Sequence, residues 1–223
     1  LWQREPVQQQ RITRQIEFWR DALSGASGLL DLPTDFPRAA VLSPRGARYE
    51  FAMNVEFRNQ VLELARAENT TVFVVLLSAF QALLARYSGD TDIVVGTPVA
   101  NRRLADLESV LGLFINTTAL RGDLSGNPSF RELFARNRNH VLSALENSDA
   151  PLERVIEHLN IERAPGRTPL FQTMFVLQKT SHGESLRMDG LEKTWVDNAI
   201  ETSRFELTMS LTESERGLLC LID

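Results

Sequence analysis

The chain has 223 residues, with 24 Lys and Arg against 29 Asp and Glu, a net charge of -5 and 43% hydrophobic residues. This balance is typical of a globular protein with an apolar core, so it excludes a disordered tail, and the acidic charge argues against a nucleic-acid-binding protein. The single cysteine, Cys220, excludes a disulfide framework and a thiolate zinc site within the chain and fits a reducing, cytoplasmic setting.

The N-terminal part contains one predicted helix and one irregular connection. Apolar residues recur at three- and four-residue steps over residues 10–23, which predicts an amphipathic helix that Gly25 and Gly28 end. Residues 31–46 contain several prolines and are predicted to be an irregular surface connection. The chain begins at Leu1 without a signal-peptide pattern, so we expect it to be a piece of a longer protein.

The next segments are predicted to be a strand and two helices. Residues 47–53 alternate as a strand, and Asn54 is placed to cap the helix that follows. Residues 71–87 are apolar on nearly every face, but the segment is too short to span a bilayer. We therefore predict a helix that is buried inside the protein, capped by Thr71 and ended by Gly89.

The remaining chain continues this alternation of strands and helices. Ser129 is placed to cap a long amphipathic helix, and Pro151 opens a second one. The predicted strands cover residues 92–99, 113–120, 170–177, 194–196, 205–211 and 218–222. Helices and strands interleaved in this way predict an α/β or α+β sandwich with a large mixed sheet and packed helices.

The isolated polar residues give little sign of catalysis. The chain has no Gly-rich phosphate loop, no Gly-x-Ser-x-Gly elbow and no His-Glu-x-x-His motif. Its three histidines are His140, His158 and His182, and we interpret each of them as a surface residue on a polar segment. Cys220, within an apolar strand, is interpreted as a small buried hydrophobe. No metal ligands or catalytic residues are assigned.

Four polar, turn-prone clusters next to apolar elements carry a resemblance to a known family. With Trp2 and Gln3 they resemble, in order and spacing, the later motifs of the condensation domains of nonribosomal peptide synthetases. The family's Gly-x-Phe-Val-Asn-Thr motif matches residues 112–117, and its Asp-x-Val-Val-Gly-Thr-Pro-x-Ala-x-Arg segment resembles residues 92–102. Two further motifs match in part, at Asp149, Pro151 and Glu153, and at Arg163, Pro169, Leu170 and Phe171.

The resemblance implies a fold similar to chloramphenicol acetyltransferase, with two such halves in a V and a tunnel between them. The family's His-His-x-x-x-Asp-Gly motif supplies the histidine that positions or deprotonates the acceptor amine, and this motif does not occur in the chain. We therefore expect residues 1–223 to be the C-terminal subdomain, inactive by itself. Residues 1–30 are expected to be a linker and first helix from the preceding half, and residues 47–223 the acetyltransferase-like core.

The resemblance also implies partners for the chain. These are the N-terminal half of the domain, donor and acceptor peptidyl carrier proteins that bear phosphopantetheine arms, and a neighbouring adenylation domain. The chain itself is expected to bind no cofactor, nucleic acid or membrane. Two alternatives stay open: half of an epimerisation or heterocyclisation domain, and a non-catalytic module that recruits a carrier or an enzyme.

Arg102 is the first candidate residue, because the resemblance implies an arginine that pairs across the cleft with the aspartate of the missing motif. The alternative is a solvated arginine. Asp149 is the second candidate for structural support of the cleft, as an acceptor for the first-turn amides of the helix that Pro151 opens.

Four more polar residues are candidates for the wall of the tunnel. Asn116 and Thr117 lie in a predicted strand, where they either face the tunnel or bond to neighbouring backbone. Gln172 and Gln178 lie on an otherwise apolar strand and face either the tunnel or the solvent.

Overall fold

Helices and strands alternate along a computed structural model that describes residues 5–41, 43–102, 105–159, 161, 164–179 and 202–223. The helices are α1 (Pro6–Ala22), α2 (Val55–Ala67), α3 (Val72–Ser88), α4 (Phe130–Glu146) and α5 (Leu152–Leu159). The strands are β1 (Tyr49–Met53), β2 (Asp92–Val99), β3 (Asn116–Asp123), β4 (Thr173–Lys179), β5 (Leu207–Ser214) and β6 (Gly217–Ile222).

Local side-chain caps start the helices where the sequence predicts them. The Asn54 carboxamide accepts a hydrogen bond from the third residue of α2, and the Thr71 hydroxyl does the same for α3. Ser129 forms a reciprocal capping box with Glu132 at the start of α4. Gly89 ends α3 in the left-handed conformation, with φ 80°, where a glycine carries no steric cost.

The six strands form one mixed sheet in the order β1-β6-β5-β4-β2-β3. β4 is parallel to both β2 and β5, whereas the other neighbouring strands are antiparallel. Because β2 and β4 run in the same direction, they end at the same side of the sheet, and β3 begins there. We call this side the β2 end of the sheet.

The buried core lies between the sheet and the helices and includes the N-terminal helix. Its largest fully buried side chains include Trp19 of α1, Phe80 of α3 and Phe175 of β4. Leu30, beyond α1, belongs to the same core. The first thirty residues therefore pack into the same core as the later elements, which differs from the expected division into a linker and a separate core.

α3 is buried on most of its surface, as predicted for residues 71–87. Even its polar residues Ser78 and Gln81 are inaccessible to solvent. No single helix in the described part of the chain has the length and apolar character needed to cross a membrane. α2 and α3 together meet those two criteria, with a bend of 105° between them.

Two predicted strands begin later than expected. β2 ends at Val99, which pairs with Asn116, so residues 113–115 have no partner strand and form an exposed loop. β4 begins at Thr173 because Leu170 adopts a left-handed backbone conformation with φ 73°, which interrupts an extended chain. The predicted strand 194–196 lies outside the described residues, as do Trp2 and Gln3.

Candidate functional site

The β2 end of the sheet gathers most of the residues that the sequence predicts for the site. Arg102 follows β2, Asn116 and Thr117 open β3, and Gln178 is near the end of β4. These residues are distant in sequence, and the parallel arrangement of β2 and β4 brings them to one side. Gln172 precedes β4 and therefore lies at the opposite end of that strand.

Arg102 organises the loop that connects β2 to β3. Its guanidinium donates to the carbonyl oxygens of Leu107, Val110 (2.8 Å) and Gly112 (3.3 Å). The guanidinium carbon also lies 4.3 Å from the centroid of the Phe114 ring, within the range of a cation–π contact. Arg102 is thus not the solvated arginine of the alternative interpretation, because it holds the loop together.

The loop that Arg102 holds presents apolar side chains to solvent. Leu111 is 99% exposed, Leu113 is 90% exposed and Ile115 is 63% exposed. Val110 is also exposed. We call residues 110–115 the apolar loop. Adjacent large apolar side chains at such exposure are typical of a surface that another polypeptide covers.

Asn116 connects the start of β3 to the turn between α4 and α5. Its Nδ2 donates to the carbonyl oxygens of Ser148 and Ala150, each at 2.8 Å, and its Oδ1 accepts from the Thr117 amide at 2.9 Å. The structure thus places the Asn116 side chain on backbone groups, which is one of the two expected arrangements. Thr117 is half-buried.

Asp149 binds α1, whereas the sequence predicts that it caps α5. Its Oδ2 accepts from Arg11 Nη2 at 2.6 Å and from Gln15 Nε2 at 2.8 Å. Gln15 in turn accepts from the Ala150 amide, and the Trp19 indole donates to the carbonyl of Asn147 at 2.8 Å. Asp149 is therefore part of a polar contact that fixes α1 to the α4–α5 turn.

Gln172 is fully buried, so the expectation that it faces the tunnel or the solvent is wrong. Its Oε1 accepts from the Leu30 amide at 2.7 Å, and its Nε2 donates to the carbonyls of Gly28 (2.9 Å) and Thr168 (2.7 Å). Two of these backbone groups come from a chain segment far away in sequence. Gln178 is exposed near the end of β4, in keeping with a surface-facing position.

His140 is not the surface residue that its polar segment predicts. It is half-buried, and its Nε2 accepts a hydrogen bond from the Arg121 amide on the outer edge of β3 at 3.0 Å. Burial lowers the pKa of His140, and the nearby Arg121 guanidinium lowers it further, against a backbone hydrogen bond that raises it. Its role is to cover a strand edge in the neutral form.

The other two histidines and the cysteine have different outcomes. His158 is exposed, and His182 lies outside the described residues, as does Arg163. Cys220 is fully buried, as predicted, and desolvation raises its pKa to about 11, which keeps the thiol protonated. Within the described ranges, no group of three or more His, Cys, Asp or Glu residues could hold a metal ion.

The sheet, its packed helices and the motif residues at one end define the class of protein. The chain belongs to the condensation-domain family, whose model matches residues 1–223. The predicted fold is confirmed as a mixed α/β sandwich of the chloramphenicol-acetyltransferase-like type, since solved condensation domains share it.

Particular relatives are synthases of nonribosomal peptides. A linear gramicidin synthase of Brevibacillus parabrevis is 42% identical over 219 residues, which are 97% of this chain and 4% of the synthase. Malpinin synthetase of Mortierella alpina is 42% identical over 217 residues, 97% of this chain and 3% of that protein. The X-domain in its complex with OxyB from teicoplanin biosynthesis is 27% identical with a TM-score of 0.86. That match covers 95% of this chain and 47% of the solved chain. The chain thus spans about half of the solved domain and a small part of each synthase.

Proposed function

We propose that this chain is the C-terminal subdomain of a condensation domain that joins carrier-bound donor and acceptor groups through an amide bond. The family match over residues 1–223 carries the proposal. The acceptor amine attacks the carbonyl carbon of the donor thioester, the carbon–sulfur bond breaks, the donor carrier's thiol leaves and the amine loses a proton. The phosphopantetheine arms belong to the carriers.

The histidine that acts on the amine would come from the N-terminal half of the domain. The chain contains three histidines, none of them adjacent to another, so it has no His-His-x-x-x-Asp-Gly motif. His140 accepts a backbone hydrogen bond at a strand edge, which supports a structural role for it. In this proposal the chain supplies one wall of the tunnel and positions groups there, and it is inactive alone.

The apolar loop supports a missing partner half. Each leucine of this loop that becomes buried contributes about 2 kcal/mol from the removal of its apolar surface from water. The matched solved domain is about twice as long as the region that this chain covers. We assign the other half of the condensation domain as the cover of the apolar loop.

Arg102 retains donors for a partner across the cleft. A guanidinium has five N–H donors, and the three hydrogen bonds to the described loop carbonyls leave one Nη2 donor and the Nε donor. Two donors can hold one carboxylate, as in a bidentate arginine–carboxylate pair. We propose that Arg102 holds the aspartate of the missing motif while it orders the apolar loop.

A reconstituted condensation assay tests the proposal. The intact domain and residues 1–223 alone are each mixed with loaded donor and acceptor carriers, and dipeptidyl product is measured by mass spectrometry. We expect product from the intact domain and none from the chain alone. Product from the chain alone would show that the proposal is wrong.

Substitution of Arg102 tests its assigned role in the same assay. Arg102→Ala in the intact domain should lower turnover by about tenfold or more, the loss expected for one well-placed charge-assisted contact. Arg66→Ala, at an exposed position of α2, is the matched control and should leave turnover unchanged. Wild-type turnover and stability of Arg102→Ala would remove Arg102 from the site.

A non-catalytic recruiting module is the second candidate function. The motif at residues 147–153 matches the family only in part, and a relative in this fold, the X-domain, was solved in complex with OxyB. This candidate predicts that the intact domain binds a carrier or a partner enzyme and forms no product. Epimerised or cyclised product would instead identify an epimerisation or heterocyclisation domain.

A further inference from the structure

A cavity of about 250 Å³ lies between α1, α5 and the segment after β2, apart from the apolar loop. Its lining is polar and charged except for one isoleucine and one proline. The lining residues used below are Gln8, Arg11, Asn101, Asp149 and Arg154. None of the contacts described for Arg102, Asn116 or Gln172 involves the side chains of Gln8, Asn101 or Arg154.

Two polar groups of this cavity lack partners. The half-buried Arg154 guanidinium makes no hydrogen bond or ion pair within the described part of the chain. Asn101 Oδ1 is shielded from solvent without a hydrogen-bond partner among the described residues, a state that costs about 1–3 kcal/mol. Asn101 also has a positive φ of 53°, a conformation more frequent at ligand-binding and turn positions than elsewhere. A ligand with a hydrogen-bond donor would satisfy Asn101.

The charges around the cavity favour an anion. Arg11 and Arg154 contribute two positive charges, while Asp149 contributes one negative charge and is bound to Arg11 at 2.6 Å. Arg154 is thus the positive charge that no described carboxylate balances. A phosphate group has more acceptor oxygens than a carboxylate, so it can accept from Arg154, Arg11 and the Gln8 carboxamide together.

We propose that this cavity binds a small phosphate ester whose neighbouring hydroxyl or amide N–H donates to Asn101. Arg154 provides the main phosphate contact, and Arg11 keeps its contact with Asp149 while it borders the phosphate. Two sources have this chemistry: the phosphopantetheine arm of a carrier, and a free phosphate ester of low molecular mass. The proposal concerns binding alone, so it does not depend on the amide-forming activity.

Binding to the intact protein, measured by calorimetry, tests the site. The probes are 4′-phosphopantetheine, pantetheine without the phosphate, and glycerol 3-phosphate. Arg154→Gln should weaken binding of a phosphate-bearing probe by about tenfold, as expected for the loss of one charge-assisted contact. Arg14→Gln, at an exposed position of α1, is the matched control and should leave binding unchanged. Thermal melting verifies that both variants fold.

The set of probes distinguishes the two sources. Arg154-dependent binding of 4′-phosphopantetheine but not of glycerol 3-phosphate supports the carrier arm, and equal binding of both supports a free phosphate ester. Asn101→Gly relieves the left-handed backbone and removes the acceptor, so it should keep the fold and weaken the same probe. Phosphate-independent binding, or binding that Arg154→Gln leaves unchanged, would overturn the proposal. The condensation assay above fails or succeeds separately from this result.

Discussion

Replacement of Gln172 by alanine should destabilise the fold and thereby separate a structural role from a tunnel-facing one. The carboxamide is the partner of three backbone groups, the Leu30 amide and the carbonyls of Gly28 and Thr168. Gly28 and Leu30 are buried, so water cannot replace the lost partner without entering the core. The change therefore detaches the segment after α1 from the start of β4.

The magnitude follows from the number of hydrogen bonds lost. Each contributes about 1 kcal/mol net, so three contribute about 3 kcal/mol, and the vacated volume adds to this loss. In a domain of this size, about 3 kcal/mol corresponds to a decrease of roughly 6–12 °C in the melting temperature. Gln178→Ala, at an exposed position of the same strand, should change the free energy of unfolding by less than about 0.5 kcal/mol.

Urea titration monitored by tryptophan fluorescence measures both variants, because Trp19 is buried in the core and reports on its opening. The m-value should stay constant while the midpoint falls for Gln172→Ala. Turnover of the intact domain is measured in parallel. A Gln172→Ala variant of wild-type stability with impaired turnover would refute the structural role and restore the tunnel-facing one.

Two further changes have defined outcomes. Because burial lowers the folded-state pKa of His140, the unfolded chain takes up the proton first, and stability should fall as the pH decreases below about 6.5. His140→Gln, which keeps an acceptor, should reduce this fall in pH-dependent urea midpoints, whereas His158→Gln should not; equal pH profiles for His140→Gln and the wild type would contradict the assignment. Gly96→Ala places a Cβ well inside van der Waals contact with the Phe171 ring, so overpacking should lower stability by about 1–3 kcal/mol, and an unchanged urea midpoint would show that the ring can move aside.

The elements predicted well from sequence are those whose signals are local. The caps at Asn54, Thr71 and Ser129 depend on amides two or three residues away, and the left-handed Gly89 depends on its own lack of a side chain. The long apolar segment at residues 71–87 identified a buried helix for the same reason. Local signals thus recovered most helices and the class of fold.

The errors concern groups whose partners lie far away in sequence. The apolar residues 113–115 have the composition of a strand, but a strand also needs a neighbour, and β2 ends at Val99. Gln172 looks like an exposed polar residue on a strand until Leu30 is placed beside it. His140 had a usable local signal, since it lies between Asn137 and Ala144 at helical spacing, and both are buried.

The sequence motifs identified the candidate site only in part. They selected Arg102 and Asn116, which lie at one end of the sheet, although the parallel β2–β4 pairing at that end is not visible in sequence. They gave no indication of the carbonyl contacts of Arg102 or of the binding of Asp149 to α1. Such contacts depend on the tertiary arrangement of loops.

The attachment of α1 bears on the exchange of condensation-domain halves between synthetases. Trp19 and Gln15 bind the α4–α5 turn through its backbone groups, so α1 recognises a shape more than a particular set of side chains. A recombination junction placed before Pro6 transfers the helix together with its receptor. A junction within residues 23–46 joins a helix from one parent to a turn from another, and the hybrid then depends on two turns having the same backbone geometry.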